Sequence, residues 1–525
     1  MKRNVSWRVA GLAAFALLVA AAVGAGTGHT AQILGPDRSS ATVLIDGTTD
    51  SVTNIDPAGN YDFGTFTVDE LIFEHLIELK PGGALTPGLA TSCSSNERLT
   101  VWTCSLRRGV KFHNGDDFTS ADVKFSFDRV QKIKDPSGIY SLLGNLKSTT
   151  TSGPYSVSFR LASPQSTWPL ILTTGAGFIV DHNQYSEGKI NTNTSPQIGT
   201  GRYQLVKYTS GQQAVLKTFD DYWGTKPKTP NLIINYYAKS STMKLALQRG
   251  DIDMAFREFT PTEYGALQRA KGLTVHRGNG VVIRYLVLSP KVKPFDKPQV
   301  RQALAYLIPR QTIATRVYHG IVKPLFSMVP AGLPGHIDQF AKVYGSAPNV
   351  AKAKALLTKA GVKTPLAITV WWTPTHYGDA SADEYAEIKR ALDGSGLFKV
   401  TLKSAEWATY SHTLGTQYGA FQLGWFPDYP DAEDYLLPFY GTKTNFTSNG
   451  YSNPKMDAIL NKEKAARTLK ARLGFVRQAQ VLAAKDVPYI PYWQGAMLAV
   501  ARNNVHGIPS TLDPTYIMRF WLLSK

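Results

Sequence analysis

The run Ser105-Leu106-Arg107-Arg108-Gly109-Val110-Lys111-Phe112-His113-Asn114-Gly115-Asp116-Asp117-Phe118-Thr119-Ser120-Ala121-Asp122-Val123 reads as a strand, a tight turn and the start of a capped helix. Asn114-Gly115 reads as an Asn-Gly turn after the strand. Thr119 or Ser120 offers an oxygen to the free amides of a helix start, and Asp122 lies in the first turn, where a carboxylate meets the positive end of the helix dipole. Just upstream, Leu99-Thr100-Val101-Trp102-Thr103 is strand-like and lies between Cys93 and Cys104. A hairpin folded about Arg98 and Leu99 sets the two cysteines opposite each other, so an oxidised chain is expected to join Cys93 to Cys104. Their spacing is not that of a zinc site, and closing so short a loop contributes about 2–3 kcal/mol.

The whole chain has 525 residues, 43% of them hydrophobic, which allows large cores and roughly two to four domains. Lys2, Arg3 and Arg8 accompany an apolar run from Val9 to Val23, and Val23-Gly24-Ala25 offers small residues for cleavage. Residues 1–25 are therefore expected to be an export signal and 26–40 a linker. An uncleaved anchor is the alternative, although Val9 to Val23 is short for a span of roughly 20 residues. Neither cysteine lies near the signal, so no lipid-attachment cysteine is seen. Loss of residues 1–25 lowers the formal charge from +18 to +15. Such a surplus suits anionic wall polymers or lipid headgroups, but the basic residues form no dense run, and nucleic acid is not an expected partner.

The Leu106-Arg107-x-Gly-Val-Lys-Phe-His-Asn-Gly run followed by Thr-x-Ala-Asp-Val resembles the signature of the peptide/nickel family (family 5) of extracellular solute-binding proteins that serve bacterial ABC importers. The likeness continues in order to the C-terminus, over roughly residues 41 to 525. Gly199-Thr200-Gly201-Arg202-Tyr203 and Asp221-Tyr222-Trp223-Gly224 are similar to the family's glycine turn and Tyr-Trp-Gly segment, with Arg202 where proline is common. Val300-Arg301-Gln302-Ala303-Leu304-Ala305-Tyr306 resembles the helix that opens the second lobe, and Pro309 replaces the usual Asp. The resemblance implies an α/β, two-lobed periplasmic-binding-protein-like fold of the large peptide-binding type, with a hinge between lobes and an extra subdomain in the first. The expected limits are 41–80 and 199–288 for lobe I, 81–198 for its extra subdomain, 289–494 for lobe II, and 495–525 for the return to lobe I.

The local patterns agree with such a plan. Ala41 to Ile45 reads as a strand, and Thr67-Val68-Asp69-Glu70 as the start of a helix with Leu71, Ile72, Leu76 and Leu79 on its apolar face. Downstream, Asn349 caps a helix stopped at Gly361, Leu366 to Trp372 is a buried strand, a helix from about Ala382 to Leu392 leads to a strand from Phe398 to Leu402, and another helix begins near Trp407. Ala420-Phe421-Gln422-Leu423 is a further strand, followed by Gly424-Trp425-Phe426-Pro427-Asp428-Tyr429-Pro430-Asp431 and by Glu433 and Asp434. By spacing alone this is either a solvated acidic turn or a set of carboxylates beside aromatics that holds a cationic group.

Enzyme chemistry finds no support in the motifs. Glu74-His75-Leu76-Ile77-Glu78 lacks the second His of a zinc helix and reads as helix surface; no Gly-x-Ser-x-Gly elbow occurs; His376, Asp379, Asp383 and Glu384 read as a helix start with early acids rather than metal ligands. No cofactor or metal is expected, and His113 reads as structural. The resemblance instead assigns Asp428 to a ligand's α-ammonium, Trp407 to a side-chain pocket, and the backbone of Gly424 and Phe426, around Trp425, to pairing with an extended peptide. An Arg that relatives supply for the ligand carboxylate is absent, Leu423 and Thr373 to Thr375 standing in its regions. The expected function is capture of a peptide or peptide-like ligand by a monomer that delivers it to the membrane subunits of an ABC importer. A non-peptide solute (nickel chelate, haem, sugar) is the alternative, ahead of a secreted hydrolase or a wall-associated adhesion protein.

Overall fold

The computed structural model describes residues 42–525 except 258, 375, 415 and 416; the expected export signal and linker lie outside the described residues. Val43–Thr48 is the central strand of a seven-stranded sheet. It runs parallel to Asn231–Tyr236 on one side and to Met254–Phe256 on the other. Parallel neighbours demand long crossovers, and the chain between residues 48 and 231 supplies one of them. Leu44, Leu232, Ile234 and Met254 bury into one core, while Ala255, Val500 and Leu498 bury into another on the opposite face.

A second sheet of six strands runs in the order Val322–Pro324, Tyr489–Gly495, Ile283–Leu288, Ala420–Trp425, Leu366–Trp372, Phe398–Ser404. Ile283–Leu288 is flanked by antiparallel partners and is buried along most of its length. The chain passes between sheets twice. Leu273–Gly278 belongs to the first sheet and Ile283–Leu288 to the second; Tyr489–Gly495 belongs to the second and Met497–Arg502 to the first. The first passage thus precedes the 288/289 limit expected from sequence by one strand. The passages touch: a Cβ at Gly280 would stand 2.6 Å from the Gly495 carbonyl. Two crossing linkers in contact are a hinge of the kind that lets lobes close.

A separate four-stranded antiparallel sheet carries the first motif. Cys93 faces Cys104 across the hairpin and is bonded to it, their Cα atoms 4.1 Å apart. Leu99 makes the turn with φ +54°. The Asn114-Gly115 turn follows, closed by the Phe112 amide to Asp116 at 2.9 Å, and the Ser120–Ile133 helix starts with a reciprocal capping box between Thr119 and Asp122.

The first helix and the segment after it differ from expectation. The helix is Phe63–Ile72, capped by Asp62 rather than Thr67, and its next residues are extended. Leu76 is buried outside it, and Ile77–Leu79 is a strand. The spacing of Leu71, Ile72, Leu76 and Leu79 satisfied a helical period, but Ile77, Glu78 and Leu79 equally satisfy strand alternation. What ends the helix is tertiary: the Gly201 amide donates to the Ile72 carbonyl at 2.8 Å, and a Cβ at Gly199 or Gly201 would overlap that carbonyl. Glu74, read as helix surface, is 2% exposed and accepts from Thr200 Oγ1 at 2.8 Å, Tyr222 Oη at 2.7 Å and Trp223 Nε1 at 2.9 Å. Burial pushes this carboxyl up to about 7. The His113 ring meets the Gly201 carbonyl at 2.9 Å, so three of the sequence motifs converge on one structural knot. Among the described residues no helix is long and apolar enough to cross a membrane.

Candidate functional site

The loop after Ala420–Trp425 reaches from the second sheet's lobe to the first. Tyr61 Oη donates to Asp428 Oδ1 at 2.7 Å. The Phe426 ring meets Phe63 edge-on, with centroids 6.0 Å apart, and Tyr429 is buried in the core of the small four-stranded sheet. Phe63, Phe426, Asp428 and Tyr516 line a narrow cavity with Thr67 and Glu70.

The acids of this loop are not solvated. Asp431, Glu433 and Asp434 are 6%, 1% and 1% exposed, which corrects the reading of a solvated acidic turn. Arg472, from the Leu469–Asp486 helix, holds Asp431 in a two-point pair and donates to Glu463 at 2.8 Å. Asp434 Oδ2 accepts the Trp425 indole and the Asp428 amide, each at 3.0 Å. A loop wedged between lobes loses its water, so each carboxylate needs a donor. Burial pushes Asp428 up to about 6, against the hydrogen bonds from Tyr61 and with Asp434 that pull it down. Asp434 is pushed further up by burial and by the charge of Asp428.

The other expected site residues lie on the same side of the second sheet or beside it. Trp425 packs against Phe439 and Phe446, with centroids 5.2 and 5.0 Å away, so its ring serves the core while its strand edge serves the cleft. Among the described residues that edge has no strand partner beyond Phe421, pairing of Leu366–Trp372 with Ala420–Trp425 being confined to Trp371 and Phe421. Trp407 begins the Trp407–Thr413 helix and stacks on His376 at 3.5 Å, with Tyr377 at 5.7 Å. Burial lowers His376 to about 4, helped by the charge of Arg284. Tyr410 Oη donates to the Gln422 carbonyl at 2.9 Å, tying this helix to the strand. Of the helix-start acids, Glu384 departs from its reading. It is fully buried and accepts from Tyr318, Tyr492, Trp493 and Gln422.

Two residues at the cleft escaped the sequence reading. Tyr61 lies in a loop with no motif around it. Arg284 left a signal, a lone cation within Val281-Val282-Ile283-Arg284-Tyr285-Leu286-Val287. It pairs with Gly424 across the strands, and a Cβ at Gly424 would overlap its Nη1.

Comparison with known proteins agrees with this architecture. Residues 84–447 match the family described as bacterial extracellular solute-binding proteins, family 5 Middle. A dipeptide-binding protein of Escherichia coli (strain K12) is 24% identical over 474 residues, covering 84% of this chain and 87% of that protein. The glutathione-binding protein GsiB of Salmonella choleraesuis (strain SC-B67) is 26% identical over 465 residues, covering 87% and 89%. Among solved structures, DppA of Helicobacter pylori in complex with the peptide STSA has a TM-score of 0.78 at 23% identity, covering 92% of this chain and 98% of that one. NikA of Brucella suis in complex with Fe(III)-EDTA has a TM-score of 0.80 at 21% identity, covering 92% and 99%. The fold is thus the two-lobed one of periplasmic binding proteins, and the protein belongs to family 5 of the bacterial extracellular solute-binding proteins.

Proposed function

We propose that this protein captures a peptide or peptide-like solute by closing its lobes on it, and delivers it to the membrane subunits of an ABC importer. The observation that carries the reading is Asp428, a carboxylate just past a strand that lacks a strand partner beyond Phe421, held toward the other lobe by Tyr61. A ligand ammonium takes the place of the Tyr61 hydroxyl at Asp428. The extended peptide lies along Gly424 and Phe426, and Trp407 with His376 walls a side-chain pocket. The lobes turn about the linkers near Gly280 and Gly495. The relatives' named ligands, a dipeptide and glutathione, are of this class. A non-peptide solute is the second reading, favoured by the Fe(III)-EDTA held by NikA on the same fold. An export signal over residues 1–25 would carry the protein out of the cytoplasm, in keeping with the extracellular family to which it belongs.

The test is thermal stabilisation by a free-amine peptide. Removing one partner of a desolvated pair costs about 3–5 kcal/mol, a few hundred- to a few thousand-fold in affinity. Asp428→Ala is expected to abolish the stabilisation, and N-acetylation of the peptide to abolish it with the unaltered protein. Equal stabilisation of the Asp428→Ala protein removes the role assigned to this carboxylate.

A further inference from the structure

Arg284, half-buried, differs from several other buried or half-buried arginines of this chain. Arg129, Arg202, Arg472 and Arg519 face carboxylates, and Arg301 and Arg310 donate to main-chain carbonyls. Among the described residues, no carboxylate pairs with Arg284. Among the described residues its one hydrogen bond is a 3.5 Å contact from Nη1 to the Ile283 carbonyl, and its buried Nε has no partner. Its Cζ lies 3.8 Å from the centroid of Tyr377 and 5.0 Å from that of Trp493. Aromatic faces hold a guanidinium by its flat sides and leave the in-plane N–H edge available, the geometry that grips a carboxylate with two parallel bonds.

The position of Arg284 connects it to the cleft. It stands across from Gly424, where the absent side chain makes room for it. Tyr377 links it to Trp407, and two residues before it the Val282 amide donates to Tyr516 Oη at 3.2 Å. Tyr516 lines the cavity that holds Asp428. A half-buried cation with unused donors thus sits on the same strand pair as the proposed ammonium site. Leaving such donors unmatched is costly, and an oxyanion from outside the chain matches them.

We propose that Arg284 is the anion-recognising residue of the cleft, binding a ligand carboxylate at two points while Asp428 receives the ligand's cationic end. This rests on the solute-binding reading above and narrows it to carboxylate-bearing solutes, zwitterionic peptides first among them.

The test is calorimetric titration of Ala-Phe and its C-terminal amide into the unaltered protein and into Arg284→Gln and Arg284→Lys. The unaltered protein is expected to prefer the acid by about 10- to 100-fold, the range of a charge-assisted two-point contact. Arg284→Gln should bind acid and amide alike, with a thermal unfolding midpoint without ligand close to that of the unaltered protein to show that it is folded. Arg284→Lys should recover part of the preference. An acid preference that survives in Arg284→Gln, or none in the unaltered protein, overturns the assignment. If neither probe binds the unaltered protein, the peptide reading fails for this probe, and Arg284 is judged by titrating succinate and citrate while following tryptophan fluorescence. A response present in the unaltered protein and lost in Arg284→Gln supports the anion site; no response, or the same response in both, overturns it.

Discussion

Affinity for a free-amine peptide should fall as pH is lowered from 7.5 to 5, because the ligand ammonium needs Asp428 charged and Asp428 in the free protein titrates at about 6. The sign follows from linkage. An ammonium beside the carboxylate lowers its pKa, so the complex binds fewer protons than the free protein, and acid opposes binding. At pH 5 only about a tenth of the free protein carries the charged carboxylate, so the apparent affinity drops roughly tenfold, or about 1.4 kcal/mol. Neighbouring groups do not mimic this. Burial puts Glu70 at about 8 and His376 at about 4, while burial and the charge of Asp428 push Asp434 well above the usual carboxylate range. Calorimetry in buffers of different ionisation enthalpy should show close to one proton released per ligand at pH 5 and almost none at pH 7.5. Affinity that is flat over this range, or a slope that persists in Asp428→Asn, refutes the assignment of the titrating group. The ligand-free protein moves in the opposite sense: a carboxyl raised by folding contributes stability when protonated, so the share of stability owed to Asp428 is lost as pH rises from about 4 towards about 6.

Arg472→Met should leave Asp431 and Glu463 buried without their cation and destabilise the protein by about 3–5 kcal/mol in urea unfolding; a loss below about 1 kcal/mol would mean that water reaches these acids. Glu384→Ala strands four donors and should cost a similar amount, roughly 3–5 kcal/mol, with a lowered thermal midpoint even without ligand; an unchanged midpoint would contradict the described network. Replacing both Cys93 and Cys104 by Ser should lower stability by about 2–3 kcal/mol without changing ligand affinity, because the bond closes a hairpin in the small sheet. Gly280→Val should weaken binding by restricting closure, since its side chain would press on the Gly495 and Ala496 backbone; small-angle scattering that shows normal ligand-induced compaction would count against the hinge.

Local signals carried a large share of the fold. The Asn114-Gly115 turn, the Thr119 cap, the Cys93–Cys104 hairpin, the Asn349 cap and the Leu366–Trp372 strand depend on short-range chemistry, and each forms where its residues predict. Segments whose state is settled by distant partners were not legible. The Phe63–Ile72 helix ends because Gly199 and Gly201 pack on its last carbonyl from well over a hundred residues away. Glu74 and Glu384 look like surface acids in sequence and become buried acceptors only because Tyr and Trp donors from remote segments converge on them.

By itself the sequence determined the family, through motifs kept in order along the chain, and it is that resemblance, rather than spacing, that singled out Asp428 just past the Gly-Trp strand end. Tertiary structure alone decided how that carboxylate is poised. Closing the loop against the other lobe removes water from Asp428, adds Tyr61 from 367 residues away and raises its pKa, while strand pairing brings Arg284 opposite Gly424. Hydrogen bonding, desolvation and charge pairing depend on distance in space, and separation along the chain says nothing about it.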